Sequence, residues 1–241
     1  MIDKTKLWAI VPVKRFAIAK SRLASVLNAV ERAELARLMF EDVLDALALC
    51  KEFIAGVIVV TSDEGAAGLA RRHGAMTVFD GAVNDINVAV ALAIHSIDRS
   101  HDDGVIIVPS DIPQLSVDDI LKAAAAISTP QTIAVVSATE DGGTNLLACR
   151  PADAVPLRFG PHSCDQHCRA ARLAGITPHL LAAPDLGLDI DRPDNLRAFL
   201  SLNSKTRTHA FLVAIHVVAR LEQRSRHDGR QFDCAAVEAL S

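Results

Sequence analysis

The sequence predicts an α/β protein built on a mostly parallel β-sheet with helices on both faces. Three observations point there. Short apolar runs without polar alternation recur at residues 7–13, 56–61 and 105–108, the pattern of strands buried on both faces. Between these runs lie segments whose apolar residues repeat at helical spacing. Half of the residues are hydrophobic but only 4% are aromatic, with no tyrosine, so burial rests on Ala, Val, Leu and Ile, as in sheets flanked by helices.

The elements follow in order. Residues 7–13 (LWAIVPV) form a first strand, ended by Pro12 and a basic loop over residues 14–22. Residues 29–50 carry Leu35, Leu38, Met39, Val43, Leu47 and Leu49 with charges between them, which gives a long amphipathic helix. A strand at 56–61, a helix at 66–73, a short strand at 76–79, a helix at 88–97 and the run at 105–108 complete a βαβαβαβ series, with the right-handed crossovers of such units. The second half predicts a helix at 117–127, a strand at 133–138, and a Gly-rich loop, Asp141-Gly142-Gly143-Thr144-Asn145, that feeds a strand at 146–150 as a hairpin. A helix then runs from Pro161 to Gly175, before a strand at 179–181, the acidic segment 185–191 and a helix at 193–202. At 241 residues a single core is the expectation. Beyond residue 203 the composition turns to Arg, Lys, Gln and His, with apolar Phe211, Ile215, Val218 and Leu221. The chain therefore divides into a domain over 1–203 and a C-terminal helical extension over 204–241 that ends in a frayed tail.

The composition excludes several classes of function. A net charge of −4 supplies no basic field for nucleic acid or an anionic membrane. The longest apolar stretch, 210–219, contains His216 and falls far short of the ~20 residues of a membrane span. The five cysteines are odd in number and unpatterned, and the N-terminus lacks the layout of a signal peptide, which together predict a reducing, cytoplasmic setting. A small-molecule partner is expected.

In a mostly parallel sheet, ligands sit beyond the carboxyl ends of the strands, where the strand order reverses. The loops to inspect are therefore 12–22, 61–64, 80–87 and 109–115. Asp111 follows the strand VIIVPS directly, and Asp189 and Asp191 are spaced i, i+2 in an extended segment, so that both point to one face and can share a cation with a third carboxylate. Mg²⁺ prefers such oxygen ligands. The competing reading is that Asp189 and Asp191 only cap the helix that begins at Pro193. Lys14, Lys20 and Arg22, close together after the first strand, suit a triphosphate; as a competing reading they form an ordinary basic surface loop. No Walker loop is present. The turns DGGTN at 141–145 and RFGPHS at 158–163 offer Thr144, Ser163 and backbone N–H groups to an anion, aided by the helix start after Pro161; the competing reading is that they are ordinary tight turns. Arg158 could pair with a carboxylate or phosphate. His162, Cys164, His167 and Cys168 do not have the spacing of a zinc site, and no serine or cysteine sits in a nucleophile elbow.

The motifs PVKxxxxAKSRL at 12–23, Asn87, PSDIPQL at 109–115, DGGTNLL at 141–147, RFGPHS at 158–163 and LDIDRPDNL at 188–196 resemble the 2-phospho-L-lactate guanylyltransferase family over residues 7–200. The resemblance implies a three-layer, Rossmann-like nucleotidyltransferase fold with a mostly parallel central sheet, related to molybdenum cofactor guanylyltransferase. It also implies that GTP and a phosphorylated three-carbon acid (2-phospho-L-lactate, phosphoenolpyruvate or 3-phospho-D-glycerate) give a guanylylated diphosphate and pyrophosphate, a step of coenzyme F-420 biosynthesis. Carried over by motif, the Mg²⁺ ligands fall on Asp111, Asp189 and Asp191, and the acid-phosphate contacts on Thr144, Gly160 and Ser163. The basic loop falls on Lys14, Lys20 and Arg22, and Asn87 and Arg158 join the substrate-binding set. Cys164 and Gln114 depart from the Phe and Leu common in the family, which implies a changed substrate preference, and the tail beyond 203 matches no motif. Two alternatives stand beside this one: transfer to another base or acceptor, such as cytidylyl or uridylyl transfer, and a non-catalytic nucleotide-binding regulator that forms a homodimer through 204–221.

Overall fold

The computed structural model describes residues 6–81, 83, 85–97, 103–202 and 204–224. Its strands are β1 (Leu7–Pro12), β2 (Gly56–Val60), β3 (Met76–Val78), β4 (Gly104–Ile107), β5 (Thr132–Ser137), β6 (Thr144–Arg150) and β7 (Pro178–Leu180). They form one sheet in the order β3-β2-β1-β4-β6-β5-β7. All pairs are parallel except those of β6, which runs antiparallel to both β4 and β5. The reason lies in chain length: the short turn between β5 and β6 makes a hairpin, whereas a parallel return needs a crossover of a dozen residues or more.

The helices are α1 (Ala29–Ala48), α2 (Glu64–Arg72), α3 (Ile86–Ser96), α4 (Val117–Ala126), α5 (Ser163–Leu173), α6 (Pro193–Ser201) and α7 (Arg207–Ala214). Phe40, Val43 and Leu47 of α1, Leu69 of α2 and Ile120 of α4 pack with Val11, Val59 and Ile106 on one face of the sheet. Val90 and Ala93 of α3 and Cys168 and Ala171 of α5 pack with Ile10, Ile58 and Ile107 on the other. Alternate residues of each strand thus enter opposite cores, which makes the three layers. Trp8 on β1 lies against Gly56 of β2, where a Cβ would come within 2.7 Å of the indole, so only glycine fits there.

Most elements fall where the sequence places them, with shifts that caps explain. Helix α2 begins at Glu64 because Asp63 Oδ1 accepts the Ala66 N–H, and α3 begins at Ile86 because Asp85 Oδ1 accepts the Asn87 N–H.

The C-terminal extension corrects the expectation of one amphipathic helix. Helix α7 stops at Ala214, His216 takes a left-handed φ of 53°, and residues 217–224 are helical again. The break shifts the phase of the stripe. Leu212, Val217 and Leu221 are buried, whereas Val218, expected on the apolar face, is half exposed. These residues form a third core with Leu35 and Met39 of α1, Phe199 of α6 and Ile190. Asp42 of α1 accepts hydrogen bonds from Arg207 N, Thr208 N and Thr208 Oγ1, at 3.0, 3.0 and 2.6 Å, and so caps α7 from a distance. The frayed tail expected over 225–241 lies outside the described residues. Among the described residues, no helix is long and apolar enough to cross a membrane.

Candidate active site

The strand order reverses between β1 and β4, since the chain runs outward from β1 through β2 to β3 and resumes with β4 on the other side. A cleft of about 410 Å³ opens at the carboxyl end of this point, within the range of small-molecule sites. Its walls are the basic loop from Pro12 to Arg22, the turn Pro109, Ser110 and Asp111, and Val60, Asp80, Val83, Asp85, Ile86 and Ala89 at the far end, with Asp191 beside Asp111.

Lys20 is the centre of this arrangement. Its Nζ lies 2.7 Å from Asp111 Oδ2 and 2.6 Å from Asp191 Oδ1, and its side chain is only 6% exposed. Lys20 holds a left-handed backbone with φ 56°, a conformation costly for a residue with a Cβ, which the two ion pairs offset. Arg22 Nη1 reaches Asp191 Oδ2 at 3.4 Å from an exposed position, and Lys14 lies at the cleft wall.

Backbone contacts explain why residues so distant in sequence meet. The Phe16 N–H donates to Asp63 Oδ2, tying the basic loop to the start of α2, and Val13 N donates to Val60 O. The acidic segment is held by three bonds: Asn145 Nδ2 to Leu186 O, Thr139 N to Gly187 O, and Ile190 N to Asp111 O. Asn195, not an aspartate, caps α6, its Oδ1 accepting from Asp191 N and Arg192 N. The reading of Asp189 and Asp191 as mere helix caps is therefore excluded.

The electrostatics follow from this packing. Burial, and after it the charges of Asp111 and Asp191, push Asp189 up to about 6. Burial also works against the charge on Asp191, but Lys20, then Arg22 and Lys14, hold its carboxyl below the usual range. Lys20 is desolvated too, yet Asp111 and Asp191 more than offset that and raise its pKa. Asp189 thus shares the field of the other two aspartates. The three are not closed into a ready-made metal cage: among the described residues no group of three or more His, Cys, Asp or Glu side chains is placed to hold an ion, and the cation between Asp111 and Asp191 is the Lys20 ammonium.

The second constellation lies at the start of β6. Because β6 is antiparallel, its first residue, Thr144, lies at the end of the sheet where β4 and β5 finish. Thr144 Oγ1 is 2.8 Å from Ser163 Oγ and 3.1 Å from His167 Nδ1, all three being buried. His167 Nε2 accepts the Arg158 N–H at 2.9 Å. Burial, reinforced by the charge of Arg158, pushes His167 down to about 4, so the ring is neutral near pH 7.

The expected roles of several residues change here. Asn87 does not turn its amide to the cleft: Oδ1 accepts Phe159 N and Nδ2 donates to Phe159 O, so it fixes the RFGPHS loop. The start of α5 offers an anion less than its sequence suggested, because Ser163 N and Cys164 N already donate to Gly160 O and Gly142 O. Arg158 is exposed, and its backbone makes the specific contact. Gly160 has a φ of 142°, and a Cβ there would meet nothing within 4 Å, so its Cα faces open space. Gln114 accepts a 2.6 Å bond from Ser204 and so ties the turn of Asp111 to the C-terminal extension. Sequence reasoning weighed His167 only as a zinc ligand; the signal that could have singled it out is a histidine on the apolar stripe of α5, between Cys164 and Ala171. Asp80, at the start of the loop 80–87, is a buried acid in the cleft wall that no motif singles out.

The family model described as guanylyl transferase CofC like matches residues 7–232, so the match takes in much of the segment beyond 203 that no motif reached. A phosphoenolpyruvate guanylyltransferase from Roseiflexus castenholzii is 40% identical over 79% of this chain and 86% of its own length. A 3-phospho-D-glycerate guanylyltransferase from Phenylobacterium zucineum is 36% identical over 78% of this chain and 86% of its own. Among solved structures, a protein from Desulfovibrio desulfuricans G20 described as a nucleotide-diphospho-sugar transferase superposes with a TM-score of 0.70 at 20% identity, over 91% of this chain and 98% of its own. The switch-point cleft, the sheet with its single reversed strand and these matches agree: the chain belongs to the CofC-like guanylyl transferase family of nucleotidyltransferases.

Proposed function

We propose that this enzyme transfers the guanylyl group of GTP to the phosphate of a small three-carbon acid and releases pyrophosphate. The observation that carries the reading is the pairing across one cleft of a basic loop, Lys14, Lys20 and Arg22, with Asp111 and Asp191. The loop's cations suit the triphosphate, and the apolar far end, with Val60, Val83, Ile86 and Ala89, suits a base. Thr144, Gly160 and Ser163 are assigned to the acid's phosphate, with Asn87 fixing the loop beside them.

Mg²⁺ fits the donor set, because it is usually held by one or two carboxylates with water and substrate phosphates completing the shell, and a cage of three is not required. Bound with the nucleotide at Asp111 and Asp191, with Asp189 beside them, it would neutralise charge on the triphosphate. Lys20, Arg22 and Lys14 orient the triphosphate and stabilise the departing pyrophosphate. The acceptor phosphate attacks the α-phosphorus: its oxygen forms the new P–O bond as the α–β bridging bond breaks, the electron pair leaving with pyrophosphate. No general base is needed, since a phosphate monoester with a second pKa of about 6 is already ionised near pH 7. The protein therefore works by alignment and charge.

Pyrophosphate release measured with GTP, CTP, UTP and ATP against phosphoenolpyruvate, 3-phospho-D-glycerate and 2-phospho-L-lactate tests the reading. Turnover with GTP and one of the acids, abolished by Asp111→Asn in folded protein, is the expected result. Release with another nucleotide alone would move the assignment to a different base, and no release with any pair would leave a nucleotide-binding regulator.

A further inference from the structure

His167 has no place in the chemistry above, yet it is a buried titratable group with both ring nitrogens held. It is fully buried, both ring nitrogens are engaged, and its partners come from three different segments: Arg158 from the RFGPHS loop, Thr144 from β6 and, through Thr144, Ser163 at the start of α5. Phe159 packs edge-on against the ring, with centroids 5.2 Å apart.

The hydrogens in this chain can be assigned one by one. A backbone N–H only donates, so the Arg158 N–H makes His167 Nε2 an acceptor and leaves the ring proton on Nδ1. Nδ1–H then donates to Thr144 Oγ1, so the Thr144 hydroxyl proton is not spent on His167, and within the pair either hydroxyl can donate to the other, because Thr144 Oγ1 has a second lone pair. Either way one hydroxyl proton of the pair remains, and no further acceptor among the described residues takes it. The Arg158 N–H, His167 and the Thr144–Ser163 pair therefore pass their donors in one direction, away from Arg158. The chain ends in an O–H donor on a pair that is itself buried, next to Gly160, whose Cα faces open space.

We propose that His167 is a positioning residue for the acid substrate: as the Nδ1–H tautomer it sets the direction of the Thr144 and Ser163 hydroxyls so that the pair presents a donor, and not a lone pair, to an anionic oxygen. This rests on the assignment of Thr144, Gly160 and Ser163 to the acid's phosphate. The low pKa of the ring supports it, because a protonated ring would set Nε2–H against the Arg158 N–H. The direction of the chain matters because the other tautomer, accepting at Nδ1, would take the Thr144 proton, turn the Ser163 O–H to Thr144 Oγ1 and leave only oxygen lone pairs for the anion.

Two variants separate the two ends of the ring. Asn at 167 can keep a donor where Nδ1 lies and loses the acceptor for Arg158; Gln can keep an acceptor where Nε2 lies and loses the donor to Thr144. The expected result is that His167→Gln raises the KM for the acid about tenfold and leaves the KM for GTP unchanged, while His167→Asn recovers most of that loss. Nitrogen-detected NMR of the His167 ring in the full chain should report the proton on Nδ1, and a shift of those signals on adding phosphoenolpyruvate or 3-phospho-D-glycerate. A proton on Nε2, equal damage from both substitutions, or parallel rises in both KM values would each overturn the proposal. The two readings fail separately. If the wild-type chain releases no pyrophosphate with any acid, the transferase reading fails, while the tautomer and the acid-dependent NMR shift still decide the role of His167.

Discussion

At the scale of single residues, the ammonium of Lys20 stands where a nucleotide-bound metal would need its carboxylates. Asp111 and Asp191 are each about one-third exposed, so screening reduces what the pair contributes, but removing Lys20 leaves three aspartates facing one another. Lys20→Met is therefore expected to cost about 1–2 kcal/mol and to lower the Tm by roughly 3–8 °C. Millimolar Mg²⁺ without nucleotide should restore much of that loss in the variant and do little for the wild type, read by thermal unfolding. Equal Mg²⁺ effects on the two proteins would count against the carboxylates as a metal site. His167 gives a second residue-scale prediction. Its folded pKa of about 4 lies below the model-peptide value of 6.5, so between these values the unfolded chain binds the proton and the native state does not. Stability is thus fully present above about pH 6.5, falls as the pH drops through this window and levels off below about 4. At about 1.4 kcal/mol per pKa unit the loss over the whole window is on the order of 3–4 kcal/mol. Urea unfolding at about pH 7.5 and about pH 4.5 should show this extra acid sensitivity in the wild type but not in His167→Gln, whose carboxylates respond to acid in the same way.

At the scale of elements, the C-terminal extension packs against the segment that carries Asp189 and Asp191. Leu212 of α7 shares a core with Met39 of α1 and with Ile190, which lies between Asp189 and Asp191. Leu212→Ala leaves a cavity behind that segment and is expected to cost about 2–5 kcal/mol. It should also lower kcat for transfer, because Ile190 loses support and the flanking carboxylates lose their fixed positions; unchanged kcat in a variant destabilised by that amount would separate the extension from the site. The elements also show what the sequence could and could not reveal. Strands β1, β2 and β4 were legible because a strand buried on both faces must be apolar throughout, and the loops after β1 and β4 were legible as cleft walls because a parallel sheet opens its crevice at that edge. The position of Thr144 was legible only through its motif, since a strand's direction is set by its neighbours and not by its own residues. The break at His216 was hidden because a left-handed turn at a histidine leaves no mark in the spacing of apolar residues, and just beyond it Val217 is buried in place of the expected Val218, while Leu221 is buried as expected. The partners of His167 lie 9 and 23 residues away along the chain, and no local pattern joins them.

At the scale of the whole molecule, the reversed strand β6 divides the work. The cleft proposed for the nucleotide belongs to the loops after β1 and β4, while Thr144, Ser163 and His167 belong to the start of β6 and to α5, on the other side of β4 in the sheet. Arg22 bonds to Asp191 and Thr144 to Ser163 and His167, so the two sets share no hydrogen-bond partner. Substitutions at groups without shared partners generally add in free energy, whereas members of one network do not. Arg22→Ala is accordingly expected to raise the KM for GTP and Thr144→Val the KM for the acid, each by about tenfold from the loss of one hydrogen-bonding group. Their effects on kcat/KM should multiply in the double variant, with a coupling energy below about 0.5 kcal/mol. Thr144→Val combined with Ser163→Ala should fall well short of multiplying, because the first substitution already removes the hydrogen bond that orients the second group. A coupling of more than about 1 kcal/mol between Arg22 and Thr144 would show instead that both sets act on the same phosphate, and that the division of nucleotide from acid across β4 is wrong.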